Sequence, residues 1–236
     1  MSTIELLGFG PRGWGGAMLA AAGTTLLVAV LGFLAGSVIG SLVAWAKLSR
    51  SLMLRLAADG YTTVLRGVPD LLVIYLFYFG GSAALTAVAR LFGASGFVGV
   101  PALATGTLAL GVVSGAYQAE VYRGAFLAVP RGQIEAARAV GMSPLLMFRR
   151  ILVPQVLRFA VPGLGNVWQL VLKESALISV TGLIELLRQA QIGSGSTREP
   201  FPFFLAAGAL YLVITSVSTF GFGRLEAHTL RGVRRA

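Results

Sequence analysis

The sequence predicts an all-α integral membrane protein of about five transmembrane helices, with the N-terminus outside and the C-terminus in the cytoplasm, and three observations lead there. Hydrophobic residues make up 56% of the 236 and charged residues only 12%, at a mean hydropathy of +0.81, well outside the composition of a soluble domain. The apolar residues gather into five runs, about 17–46, 56–80, 101–121, 160–181 and 201–223, each matching the roughly 20 residues that one helix needs to cross a bilayer. The bases fall in the gaps between these runs, which is a topology signal and not a nucleic-acid patch, despite the net charge of +10. With the N-terminus outside, thirteen of the 19 bases lie inside, against Arg12, Arg90, Arg188 and Arg198 outside, with Arg66 and Lys173 within spans. The inside bases include Lys47, Arg50, Arg55, Arg149, Arg150, Arg158, Arg231, Arg234 and Arg235. Helices are expected throughout, because lipid leaves no free backbone group satisfied and the alternating pattern of barrel strands is missing.

The first run follows Arg12 and is far longer than a signal-peptide core, so it is expected to be retained. Its Gly32, Gly36 and Gly40 recur every four residues and make a groove that another helix can approach closely, although Gly is common in membrane helices generally. Gly111 and Gly115 in the third run repeat the pattern. Arg66 lies early in the second run, where Gly67 and Pro69 weaken the helix. It either borders a cavity or snorkels to the cytoplasmic interface. Pro162, Gly163 and Gly165 suggest a similar break at the entrance to the fourth run.

Between the third and fourth runs lies a basic stretch, residues 129–155, that reads as two short helices. Gln133–Val140 is rich in helix formers; Gly141 supplies a left-handed stop, and Ser143 with Pro144 supplies an N-cap and first turn for the second helix. That second helix is expected to run to about Leu152 and to be closed by Pro154. Leu145, Phe148 and Leu152 give it one apolar face, and Arg149 and Arg150 suit the negative end of its dipole. A compact helix-turn-helix on the cytoplasmic side is what a docking surface needs, since a partner can push it as a rigid body.

Glu135, Ala136 and Ala137, then Gly141 after three residues, Ile151 after nine more, and Pro154 behind a hydrophobic residue closely resemble the EAA loop of ABC importer permeases. Val153 stands where that pattern usually has Leu. The stretches LRGVPDLLVIYLFYFG from Leu65, GAYQAEVYRGAFLAVPRG from Gly115 and VLKESALISVTGL from Val171 resemble the polar amino acid uptake family. The tail STREPFPFFLAAGALYLVITSVS is most similar to its permeases for histidine, lysine, arginine and ornithine and to their opine-transporting relatives.

The resemblance covers about Tyr61 to near the C-terminus. It implies a type I ABC importer permease, a single transmembrane domain over 1–236 with the coupling loop at 129–155, multi-pass in the bacterial cytoplasmic (inner) membrane. Implied with it are a second permease subunit, identical or homologous, two cytoplasmic ATPase subunits that carry ATP and Mg, an external solute-binding protein and an amino acid substrate. ATPase docking would fall to Glu135, Ala136, Ala137, Gly141, Ser143, Pro144, Ile151 and Pro154.

From the residues themselves, a Walker A site is excluded, because Lys47 and Lys173, the only lysines, follow Ala46 and Leu172 and not Gly. No Cys is present and His228 is the only His, which argues against disulfides, thiolate chemistry and a metal site. No close pair of acids within one segment is placed like a general acid and base, so an enzyme is disfavoured. Lys173 and Glu174 fall inside the fourth run, where an ionisable group costs at least about 2.5 kcal/mol unless paired or wetted. They point about 100° apart on a helix and do not simply neutralise one another. Either they face a substrate pathway, Glu174 toward a cationic group and Lys173 toward a carboxylate, with Gln169 and Arg66 nearby, or they pair structurally with Arg66, Glu120 or a partner chain. A secondary transporter, or an ABC permease for another solute, is the competing reading.

Overall fold

The computed structural model describes residues 3–11, 13–93 and 95–229, and these are helical without a strand. Arg12, Arg231, Arg234 and Arg235 lie outside the described residues. After a short α1 (Thr3–Leu7) the chain enters α2 (Gly15–Leu48), followed by α3 (Leu52–Gly67) and α4 (Asp70–Tyr75). A π-turn (Leu76–Gly80) carries α4 into α5 (Gly81–Leu91); α6 (Ala102–Leu127) follows, then α7 (Arg131–Ala139) and α8 (Pro144–Met147). A second π-turn (Phe148–Leu152) joins α8 to α9 (Val153–Glu174), a 3₁₀ segment (Ser175–Thr181) leads to α10 (Leu186–Thr197), and α11 (Pro200–Thr229) ends the described chain.

Three of these helices are long and apolar enough to cross a membrane: Gly15–Leu48, Asp70–Leu91 and Pro200–Thr229. The expected second span, 56–80, is therefore corrected. Pro69 disfavours helical backbone at the residue before it; Val68 is extended (φ −93°, ψ 138°), and the helix restarts at Asp70. The apolar helix long enough to cross starts at Asp70 and runs to Leu91, and Arg66 lies on α3, ahead of it. The expected break at Pro162–Gly165 is also absent, since α9 runs unbroken from Val153 to Glu174. Pro162 is exposed there, and the two glycines serve packing: a Cβ on Gly163 would lie 2.9 Å from Val121 and one on Gly165 3.4 Å from Phe222. The regular helix ends at Glu174, short of the expected 181, where it tightens into the 3₁₀ segment that left-handed Gly182 (φ 86°) stops.

The small-residue stripe of α2 lies against α6. A Cβ added to Gly32 would come within 2.8 Å of Leu110, one on Gly36 within 2.0 Å of Ser114 Oγ, and one on Gly40 within 2.8 Å of Gln118. The close approach lets polar groups bond across the pair: Ser37 Oγ donates to Gln118 Oε1 at 2.7 Å, and Gln118 Nε2 donates to Phe33 O at 3.0 Å. Such bonds and small contacts take the place of hydrophobic association inside lipid. Ile74, Leu110, Trp168, Leu172 and Ile178 join α4, α6, α9 and the 3₁₀ segment in one core, while Met18, Leu186 and Phe203 tie α2, α10 and α11 together in a second. Gly36→Leu is expected to force α2 off α6 and cost about 1–3 kcal/mol, the usual range for overpacking. A thermal unfolding series in detergent, comparing it with exposed Gly23→Leu, checks this; equal midpoints would refute the close-packing role.

Candidate functional site

Two groups of residues stand out, one at the loop after α6 and one beside Tyr117.

In the loop, Pro130 starts α7, and Glu135, Ala136 and Arg138 lie exposed on it while Ala137 turns inward and is buried. Gly141 takes the left-handed conformation (φ 75°). Met142 N donates to Ala137 O at 3.1 Å and Gly141 N to Arg138 O at 3.0 Å, the paired bonds of a Schellman stop. Ser143 caps the next helix by accepting from Leu146 N at 3.4 Å, with Pro144 in its first turn. The expected closure at Pro154 does not occur. A π-turn widens the helix over Phe148–Leu152, and the chain passes through Pro154 into α9 without stopping. The wider turn absorbs the backbone donor that proline lacks.

The second loop helix is thus an extension of α9. Gln155 of α9 donates to Gln133 Oε1 of α7, so α7 is held onto the same rod. Met147 and Leu152 are buried beneath it, and Ile151 is half-buried. Val140 (74% exposed) and Leu145 (67%) point outward. Beside them a groove of about 480 Å³ is lined by Ser143, Leu145, Leu146, Arg149 and Arg150. An apolar, basic, rigidly mounted surface of this kind suits docking, not chemistry.

Directly before this loop lies a charge network the sequence reading missed. Lys47, only 6% exposed, donates to Asp59 Oδ1 at 2.7 Å and to Glu120 Oε1 at 2.5 Å, and Arg123 Nε bonds Glu120 Oε2 at 3.0 Å. The hydrogen bond from Lys47, and then its charge, holds the Asp59 carboxyl below the usual carboxylate range. Tyr61 OH donates to Val112 O at 2.5 Å, adding a second tie between α3 and α6. The ends of α2, α3 and α6 are thereby locked together. Lys47→Met is expected to lower stability by about 1–3 kcal/mol by leaving the part-buried Glu120 short of a partner, with midpoint measurement in detergent as the check. An unchanged midpoint would make the network incidental.

The four expected pathway residues occupy separate contacts in the structure. Arg66 places its guanidinium 5.4 Å from the centre of the Tyr117 ring. Glu174, buried at 7% exposure at the end of α9, faces Asp70 at the start of α4. Gln169 is elsewhere: its Nε2 donates to Thr219 Oγ1 of α11 at 2.5 Å. Lys173 is exposed. Among the described residues Glu120 bonds Lys47 and Arg123, and not Lys173 as one reading had it. Asp70 went unnoticed in the sequence because its partner lies more than a hundred positions away.

A family model described as a binding-protein-dependent transport system inner membrane component matches residues 36–231. The octopine transport system permease protein of Rhizobium meliloti is 60% identical over 235 residues, covering 100% of this chain and 99% of that protein. The histidine/lysine/arginine/ornithine transport system permease protein of Escherichia coli (strain K12) is 41% identical over 224 residues, covering 95% and 98%. Among solved structures, a crystal structure of an amino acid ABC transporter with histidines aligns with a TM-score of 0.76 at 32% identity, covering 91% of this chain and 95% of that one.

Proposed function

Because the chain belongs to the family of binding-protein-dependent transport system inner membrane components, we propose that it is the permease subunit of an ATP-driven importer for opines or basic amino acids. It is an inner-membrane transport protein, as its relatives are. The cargo follows from the relatives named for octopine and for histidine, lysine, arginine and ornithine.

The observation that carries the mechanism is the rigid mounting of the 129–155 loop on α9. The loop presents Glu135, Gly141, Ser143 and Pro144 at the surface and is continuous with the helix that ends at Glu174. We place the contact with a cytoplasmic ATPase at this loop. Closure of two such ATPases, which hold the ATP and Mg, would push the rod formed by α8, the π-turn and α9, and so shift Lys173 and Glu174 at its far end. A second permease, identical or homologous, would complete the pathway, and an external binding protein would deliver the cargo. Arg66, Lys173 and Glu174 supply both signs of charge for a zwitterionic or cationic solute; Gln169, committed to α11, acts as a helix tie.

Reconstitution tests this. Proteoliposomes holding the chain with its second permease and ATPase, supplied with binding protein, should take up labelled octopine or arginine with ATP. Uptake driven by a sodium or proton gradient alone, without ATP, would overturn the proposal in favour of a secondary transporter.

A further inference from the structure

We infer that a groove between α2, α6 and the π-turn at the foot of α9 seats one anionic phospholipid of the bilayer, with an acyl chain in the groove and the phosphate among Arg50, Arg149 and Arg150. The inference concerns how the chain sits in its membrane and is independent of the cargo. The groove, about 300 Å³, is walled by Trp45 and Leu48 of α2, Phe126 of α6, Phe148 of the π-turn, and Val156 and Leu157 of α9. Trp45 is 67% exposed and Phe148 53%, so the walls stand open. The two hydroxyls along the groove are spent within the chain: Ser41 Oγ donates to Val38 O at 2.8 Å, and Tyr122 OH donates to Gln118 Oε1 at 3.2 Å. What remains open is apolar, which suits a hydrocarbon chain and not a polar solute.

Apolar walls alone select no particular lipid, because every acyl chain is as apolar as they are. The head group decides, and the bases beside the groove divide into two sets. Lys47, next to Leu48, is held by Asp59 and Glu120; Arg123, next to Tyr122, bonds Glu120; Arg158, next to Leu157, donates to Thr229 O at 2.9 Å. Arg149 and Arg150 follow Phe148 directly, and Arg50 lies two residues beyond Leu48. All three are exposed, and among the described residues no ion pair ends on them. A guanidinium fork meets phosphate oxygens two at a time, and unpaired bases flanking a membrane helix attract anionic head groups. Trp45 stands one turn before the end of α2, and an aromatic at that place marks the head-group level of a bilayer. Arg149 and Arg150 also line the loop groove described above, so the lipid sits where bilayer composition acts on the rod that couples the loop to α9.

Trp45, in the wall of the groove, is the reporter. The whole importer complex is reconstituted in phosphatidylcholine nanodiscs that contain a small fixed fraction of brominated-chain lipid, either phosphatidylglycerol or phosphatidylcholine. Bromine quenches tryptophan fluorescence on contact, and the difference between wild type and Trp45→Phe isolates the signal of Trp45 from that of every other tryptophan. Titrating the brominated fraction is expected to give phosphatidylglycerol an apparent affinity about fivefold or more above that of phosphatidylcholine, the scale of a basic contact to an anionic head group. Replacing Arg50, Arg149 and Arg150 together by Gln should bring the ratio close to one, whereas replacing them by Lys should keep most of it. Co-purification of the ATPase reports assembly; if the Gln triple variant fails to assemble, Arg50→Gln alone is expected to lower the ratio and takes its place. Equal quenching by the two lipids in wild type would mean that ordinary bilayer wets an open wall, and would overturn the inference. Quenching by neither would mean that another subunit covers the groove, with the same consequence. An undiminished ratio in the assembled Gln variant would overturn it as well, since the three arginines would then not hold the phosphate.

Discussion

Gly141→Asp should abolish ATP-driven uptake while leaving the chain inserted in the membrane. The position is exposed, and a Cβ there meets nothing within 4 Å, so the change creates no clash. Its effect comes from backbone and charge. Gly141 holds φ at 75°, and its N–H and that of Met142 close the end of α7 onto Arg138 and Ala137. A side chain in this region costs about 1 kcal/mol, and a carboxylate at the negative end of a helix adds about 0.3–1 kcal/mol. Together these bias α7 away from its docked orientation by roughly 1.3–2 kcal/mol, which weakens ATPase capture by about tenfold or more. Co-purification of the ATPase in mild detergent measures this directly. Gly141→Ala, which carries the backbone strain without the charge, should fall between wild type and Gly141→Asp. Equal capture by all three proteins would mean that the loop is not the docking element.

The loop was legible because its signals are local. A left-handed stop at Gly141 and a cap at Ser143 with Pro144 behind it are decided by a few neighbouring residues, and both stand as expected. Pro154 misled because its usual effect as a stop is averaged over ordinary helices, whereas here a π-turn takes up the missing donor. The glycine stripe on α2 was visible as spacing, but its partner on α6 was not, since nothing in the sequence says that Gly36 meets Ser114. Long-range charge pairing was harder still. Lys47 reads as an interfacial base and Glu120 as a partner for Lys173; only the packing of α2 on α6 shows that Lys47 and Glu120 share one bond. Pro69 was read as a weak point in a span, and its full consequence, a restart that moves the apolar helix to Asp70–Leu91, depends on where the core places Val73 and Ile74.

Glu135→Arg should match the loss of uptake in Gly141→Asp by a different physical route, and the two are separable by salt. Glu135 lies exposed on α7, among Arg131, Arg138, Arg149 and Arg150 of the same loop, and its side chain supplies the loop with its one negative charge. Reversal changes the local charge by two and turns a mixed surface into a wholly basic one. Like-charge juxtaposition at an interface costs several kcal/mol, whereas Glu135→Gln removes only the attraction and should cost less. Exposed charges are screened over about 8 Å at physiological ionic strength, so raising salt should recover part of the ATPase capture lost by Glu135→Arg and none of that lost by Gly141→Asp, whose main defect is in the backbone. Pull-down of the ATPase across a salt series, with thermal midpoints to show that each variant is folded, distinguishes them. Salt-insensitive loss in Glu135→Arg would assign Glu135 a direct buried contact with the ATPase in place of an electrostatic one, and unimpaired capture would remove it from the docking surface.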